Sequence, residues 1–283
     1  MKVLFRTGCW LCLLLSPLTK AESDQAIIWA ATDLPGVYRL NTDATPAQLE
    51  GFIGDLQNYL FAHLADTFQL EPVAMLIPRI ERELRARDNV CTGILLRTAE
   101  REQYLHFSLP YMVIPTPQIV MSSTGWAKLG QPERHSLEDL VNNPALVGLR
   151  VNHRAYGRLI DQYLDSATGP IINVTGSANA MRMLAGGRAD YLIEYPMVIS
   201  ELLGEQADTL RFVTITHSPP FMNLAISCSQ SEQGAAFIAA VNAQLPTLVR
   251  DPVYKALNLD AAPRQLQADL DDIYLQQVIS VQR

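Results

Sequence analysis

No G-x-G-x-x-G follows a strand-like run, no P-loop occurs, and no G-x-S-x-G elbow is present. Dinucleotide binding, P-loop phosphate chemistry and the common serine-hydrolase arrangement therefore drop out. The five histidines, His63, His106, His135, His153 and His217, are scattered without metal-ligand spacing, so neither a metal nor a cofactor is expected. His63 and His106 fall in apolar surroundings and read as packed side chains. Bases are scarce: 22 lysines and arginines stand against 29 aspartates and glutamates. That balance argues against nucleic acid as a partner. Long apolar runs are missing beyond the N-terminus, so no other segment is long enough to cross a bilayer. Cysteine is rare too, with four residues, two of them in the first twelve.

The N-terminus has the layout of a leader. Lys2 and Arg6 precede the apolar run Gly8–Leu15, Ser16-Pro17 breaks it, and Thr19 and Ala21 supply small residues at −3 and −1. That pattern predicts a signal peptide over residues 1–21 and export to the periplasm. Removing Lys2, Arg6 and Lys20 takes the formal charge from −7 to −10. Cys91 and Cys228 remain. An oxidising compartment allows them to pair, while their apolar neighbours suit two buried thiols equally well.

The rest alternates strand-like and helix-like segments. Ala26–Ala31 reads as a strand ending at Thr32-Asp33, where α/β sheets gather ligands. Thr45-Pro46 predicts a helix start, with Leu49, Phe52, Ile53, Leu56, Leu60 and Leu64 as its apolar stripe. Val73–Ile77 is a strand and Arg79–Arg87 a charged helix. Val90–Leu96 reads as a buried strand carrying Thr92 and Gly93, and Thr98 as the N-cap of a helix bearing Arg101. A guanidinium there can grip both oxygens of a carboxylate. Further strands are expected at Val147–Val151, Ile171–Val174, Asp190–Ile193 and Leu210–Thr216. Helices are expected at Arg158–Leu164, Ala178–Ala185, Ala235–Val249 and Pro252–Leu257. The tail after Ala261 is polar and weakly patterned. Proline-broken extended segments near residues 113–124 and 217–229 read as two crossings between lobes. A chain of this length fits two such lobes, and a cleft between them can close on a small molecule.

The run TGILLRTAEREQYLHFSLPY resembles a segment of the bacterial extracellular solute-binding proteins of family 3, where a strand precedes T-x-E-R and F-S-x-P-Y. The first strand ending in Thr32-Asp33, SLEDLVNNPALVGLRVNHRAYG and LAGGRADYLIEYP resemble three further motifs of that family, in the same order. The likeness runs from about Ala26 to Leu257. It implies an α/β, two-lobed type II periplasmic binding protein fold with two hinge crossings. Lobe 1 would comprise residues 22–117 and 224–283, and lobe 2 residues 118–223. It also implies a monomeric receptor, not an enzyme, that captures a small polar, carboxylated, amino-acid-like ligand and delivers it to an ABC permease.

By position, the resemblance assigns Asp33 to the ligand or its pocket, Arg101 to the ligand carboxylate, and Glu194 with Tyr195 to the ammonium. The second-lobe loop contributes Asn152, Arg154 and Tyr156, and His153 lies beside it. Three departures stand out. Ile94 and Leu96 occupy positions where the family has small or polar residues. Tyr38 replaces the aromatic expected after the first strand. Arg154 stands where the family more often has Gly, Ser or Thr; it would suit a second anionic group, or pair with Glu194 in the empty site. Two alternatives stay open: a cleft enzyme like cyclohexadienyl dehydratase, with Glu194 as general acid, and a receptor for a membrane sensor.

Overall fold

Strand β1 (Ala26–Ala31) sends Ile27, Trp29 and Ala31 to one side of its sheet and Ala30 to the other, the period of two that buries both faces. The computed structural model describes residues 26–34, 37–152, 156, 158–260 and 262–282. The leader, His153 and Arg154 lie outside the described residues. The chain continues through β2 (Arg39–Asn41), β3 (Gln48–Glu50), α1 (Phe52–Ala62), β4 (Gln69–Ala74), α2 (Ile77–Ala86), β5 (Val90–Thr92) and β6 (Leu105–Pro115). It then builds a second unit from β7 (Gln118–Met121), α3 (Ser123–Lys128), β8 (Arg134–His135), α4 (Leu137–Val141), β9 (Gly148–Val151), α5 (Arg158–Asp165), β10 (Ile171–Val174), α6 (Ser177–Ala185), β11 (Tyr191–Glu194), α7 (Pro196–Leu203) and β12 (Arg211–Ile215). It returns by β13 (Phe221–Ser229) and ends with α8 (Glu232–Leu248), α9 (Pro252–Leu259) and α10 (Arg264–Tyr274).

Two sheets carry this order. The first runs β4-β1-β5-β13-β6 and the second β10-β9-β11-β7-β12-β8. The chain leaves the first sheet at Thr116-Pro117 and re-enters it after residues 216–220. The fold is α/β with two lobes and two crossings. The return crossing ends earlier than the sequence suggests, because Phe221–Leu224 already pairs with Met112–Pro115 of β6.

The first sheet is closed on one face by α2. Its Ile80 and Leu84 are buried against Ala30, Val90 and Leu105, each worth about 1.5–3 kcal/mol on burial. On the other face Trp29 meets Phe61 edge-on at 4.6 Å and packs near Phe237. The second unit is held by Asp190. Its carboxylate takes Lys128 Nζ at 2.9 Å and the Val147 amide at 2.8 Å, and its carbonyl takes the Ser122 amide at 3.0 Å. Gly125 passes so close that a Cβ would lie 2.4 Å from the Asp190 carbonyl oxygen. The aspartate of the GRAD motif therefore staples the lobe together internally.

Several expectations need correction. Thr45-Pro46 does not open a helix: residues 48–50 pair as β3 with β2. Helix α1 starts after Gly51, whose φ of +82° and contact with the Val37 carbonyl suit glycine. Val90–Leu96 shortens to β5, and Thr98 leads only into a single 3-10 turn, Arg101–Gln103, before the eleven-residue β6 takes over. The Thr98 hydroxyl still accepts the Arg101 amide at 3.2 Å. His63 is exposed rather than packed. The tail forms α10 and a π-helical turn, Leu275–Ile279, burying Leu270, Tyr274 and Val278. Of the two states open to Cys91 and Cys228, the disulfide is the one formed. The residues are direct partners in the antiparallel β5–β13 pair, with Cα atoms 4.1 Å apart.

Candidate functional site

Strands β8, β9, β11 and β12 all run in the same direction, so their C-terminal ends share one edge of the second sheet. Open α/β sheets bind ligands at such an edge. A cavity of about 590 Å³ lies there. Ser136 enters it just past β8, Tyr156 past β9, Tyr195 past β11 and Thr216 past β12. Both crossings line it, through Thr116-Pro117 and His217–Pro219, and the first lobe contributes Leu96. The volume falls within the range of about 300–1,000 Å³ that small-molecule sites occupy.

The structure separates the sequence-derived candidates. Tyr156 and Tyr195 line this cavity. Glu194 is fully buried beside them at the end of β11, and its Oε1 accepts the Tyr195 amide at 2.8 Å. Asn152 is exposed at the end of β9 and donates to the Thr175 hydroxyl at 3.4 Å. Asp33 and Tyr38 line a separate recess of about 460 Å³ with Arg39, Glu50 and, from α7, Glu201. There Asn41 and Arg39 hydrogen-bond Glu50 and hold its carboxyl below the usual range.

Tyr38, Thr92 and Gly93 have structural partners that the sequence did not reveal. The Tyr38 hydroxyl donates to Gln57 Oε1 at 2.8 Å, and Trp29 Nε1 donates to both, at 2.9 and 3.1 Å. Gln57 Nε2 donates to the Tyr111 hydroxyl at 3.0 Å, which donates to the Gly93 carbonyl at 2.8 Å. Burial pushes both phenols well above the ordinary tyrosine range. A Cβ on Gly93 would stand 2.4 Å from Gln57 Nε2, so glycine is needed here for the network to fit. Thr92 is buried and donates to the Ala30 carbonyl at 2.8 Å.

Arg101 is placed just behind the cavity wall. Its Nη1 donates to the carbonyl of Leu96, a wall residue, at 2.8 Å, and its Nη2 meets Glu81 of α2 at 2.5 Å. The acids and arginines near the cleft were legible as charged residues, but their pairing was not. The wall residues Leu159, Ile160 and Tyr163 on α5 were read as ordinary helix positions. Among the described residues no three His, Cys, Asp or Glu side chains gather as a metal site.

No protein-family model matches the chain, and no curated protein is similar to it in sequence. Solved structures do resemble it. An ancestral amino-acid-binding protein described as a precursor of cyclohexadienyl dehydratase shares 20% identity and a TM-score of 0.54 over 82% of this chain and 93% of its own. A probable amino-acid ABC transporter extracellular-binding protein from Bacillus subtilis shares 15% identity and a TM-score of 0.57 over 85% and 98%. A histidine kinase sensor domain with similarity to periplasmic binding proteins shares 17% identity and a TM-score of 0.52 over 82% and 93%. The fold is that of the two-lobed type II periplasmic binding proteins.

Proposed function

We propose that this protein is an exported solute receptor, not an enzyme, which closes two lobes on a small carboxylated, amino-acid-like ligand. The observation that carries the reading is the cavity at the C-terminal edge of the second sheet. It is walled by both crossings and reached from the first lobe by Leu96. A ligand there touches the parts that must move relative to each other, so its binding energy favours the closed form. The lobes are taken as residues 22–117 with 224–283, and residues 118–223. The second sheet, β7 to β12, falls within residues 118–223, which supports this division, while Phe221–Asn223 pairs with the first sheet.

Arg101 takes the ligand carboxylate by exchanging Glu81 for it; the ion pair holds the guanidinium one residue from the cavity wall until then. Tyr156 and Tyr195 on the cavity wall, with Glu194 buried beside them, supply further polar contacts; Asp33, which lines the separate recess, and the exposed Asn152 are left out of this reading, and Arg154 enters it from the resemblance alone. Delivery to an ABC permease is the partner reading that the transporter-type neighbour supports, and the sensor-domain neighbour supports a membrane sensor as the other. The test is mass spectrometry of whatever co-purifies with residues 22–283, followed by thermal shifts with amino acids, dicarboxylates and small peptides. Arg101→Ala is expected to abolish the ligand-induced shift. An undiminished shift in that variant removes Arg101 from the site.

A further inference from the structure

The wall of the cavity is chemically uneven. Leu96, Pro117, Leu159, Ile160, Ile215 and Met222 present apolar surface, and Tyr156, Tyr163 and Tyr195 add aromatic rings. Leu96 of the first lobe is 40% exposed and Leu159 of the second is 66% exposed. Leu96 and Leu159 thus put exposed apolar surface on the same cavity, one from each lobe.

Two hydroxyls of the wall are bonded within the protein. The Thr116 hydroxyl donates to the Pro219 carbonyl at 2.6 Å, and the Ser136 hydroxyl accepts the Asp139 amide at 3.2 Å. Glu138 is the acid among the lining residues. It sits on the exposed side of α4, where it repels a ligand bearing a second carboxylate. A charged side chain entering the cavity would lose its hydration against leucine, isoleucine and methionine.

We infer that the ligand is a small carboxylate with a large apolar or aromatic body, and that this body lies between Leu96 and Leu159 against Tyr156, Tyr163 and Tyr195. The inference rests on the solute-receptor reading above and names its ligand class. The apolar body supplies most of the affinity through the surface it removes from water. Closure brings the two leucines onto it from opposite sides. The carboxylate end supplies orientation, as polar groups do in mostly apolar sites.

The test is titration calorimetry on residues 22–283 with L-leucine, L-phenylalanine, L-alanine, L-arginine and L-glutamate, plus 4-methylpentanoate and 3-phenylpropanoate, which lack the amine. Binding is expected for at least one of the four probes with a large apolar body. L-Alanine, L-arginine and L-glutamate should each be weaker by tenfold or more. L-Arginine or L-glutamate binding more tightly than all four apolar probes overturns the inference while leaving the receptor reading intact. No binding by any probe overturns both. A Leu96→Asp, Leu159→Asp double variant locates the body, since both side chains are exposed and contribute little to the core. It should lose at least tenfold in affinity for the best apolar probe, with an unchanged melting midpoint in the absence of ligand. Full affinity in the double variant overturns the placement. If the midpoint falls, the single Leu159→Asn variant is read by the same criterion.

Discussion

Thr116 on the outward crossing is bonded twice to the return crossing: its hydroxyl donates to the Pro219 carbonyl at 2.6 Å and its amide to the Pro220 carbonyl at 3.0 Å. The two crossings are therefore tied to each other side by side. Thr116→Val keeps the shape and removes one of the two bonds. The expected cost is about 1 kcal/mol in chemical denaturation, with a larger radius of gyration in solution scattering for the ligand-free protein. An unchanged scattering profile would show that the hydroxyl does not restrain the hinge.

Gln57 should be the most sensitive polar position in the first lobe. It is fully buried and joins Trp29, Tyr38 and Tyr111. Gln57→Ala leaves the buried Tyr38 hydroxyl without its acceptor, takes one of two acceptors from Trp29 Nε1 and removes the donor to the Tyr111 hydroxyl, and it opens a cavity. Each buried polar group left without a partner costs about 1–3 kcal/mol, so a loss of about 3 kcal/mol or more is expected. Gly93→Ala should destabilise by the same route, through the clash with Gln57 Nε2. Urea denaturation of both variants checks this, and wild-type stability in either would remove the network from the account.

Among the described residues Tyr38, Tyr111, Tyr191, Tyr254 and Tyr274 should resist alkaline titration, and Tyr59 is raised as well. Burial raises Tyr38, Tyr111, Tyr254 and Tyr274 well above the ordinary value of 10.0 and pushes Tyr191 up to about 12. Above pH 10 the folded protein keeps protons that the unfolded chain releases, so this contribution to stability is complete below pH 10 and declines as pH rises. Absorbance at 295 nm should rise in two stages. The second stage should coincide with the loss of helical circular dichroism, whereas a single rise near pH 10 in the folded protein would contradict the burial.

The disulfide should contribute strongly, because Cys91 and Cys228 are 137 residues apart. Loop-closure entropy puts its effect at about 4–5 kcal/mol. The Cys91→Ala, Cys228→Ala variant, or the wild type with reductant, should lose about that much stability in denaturant. A loss below about 1 kcal/mol would place the stabilisation elsewhere.

Several elements of the second lobe were legible because their signals are local, whereas α3, β8 and α7 were not read. Ser136 caps α4, the run Val147–Val151 predicts β9, and Gly186-Gly187 follows α6. The failures have a common cause in long-range pairing. Residues 48–50 look like the start of an amphipathic helix until β2 is available to pair with them. Thr98 looks like a cap for a long helix until β6 claims the chain at Leu105. At the site, the charged candidates could be named from the sequence, but not that Arg101 faces Glu81 or that Tyr38 serves Gln57. The departures at Ile94 and Leu96 were visible, and Leu96 proves to be a cavity wall. The α5 wall was hidden because Leu159, Ile160 and Tyr163 have the spacing of any helix.

Every strand of the second sheet lies between Cys91 and Cys228. The disulfide thus closes that whole lobe, and both crossings with it, into a covalent ring attached to the first sheet. A protease that cuts the ring once releases no fragment, and the nicked chain keeps its full mass until a reductant separates the pieces. Separation of the chain then depends on two events, a cut and a reduction, where a linear two-lobed chain would be divided by one.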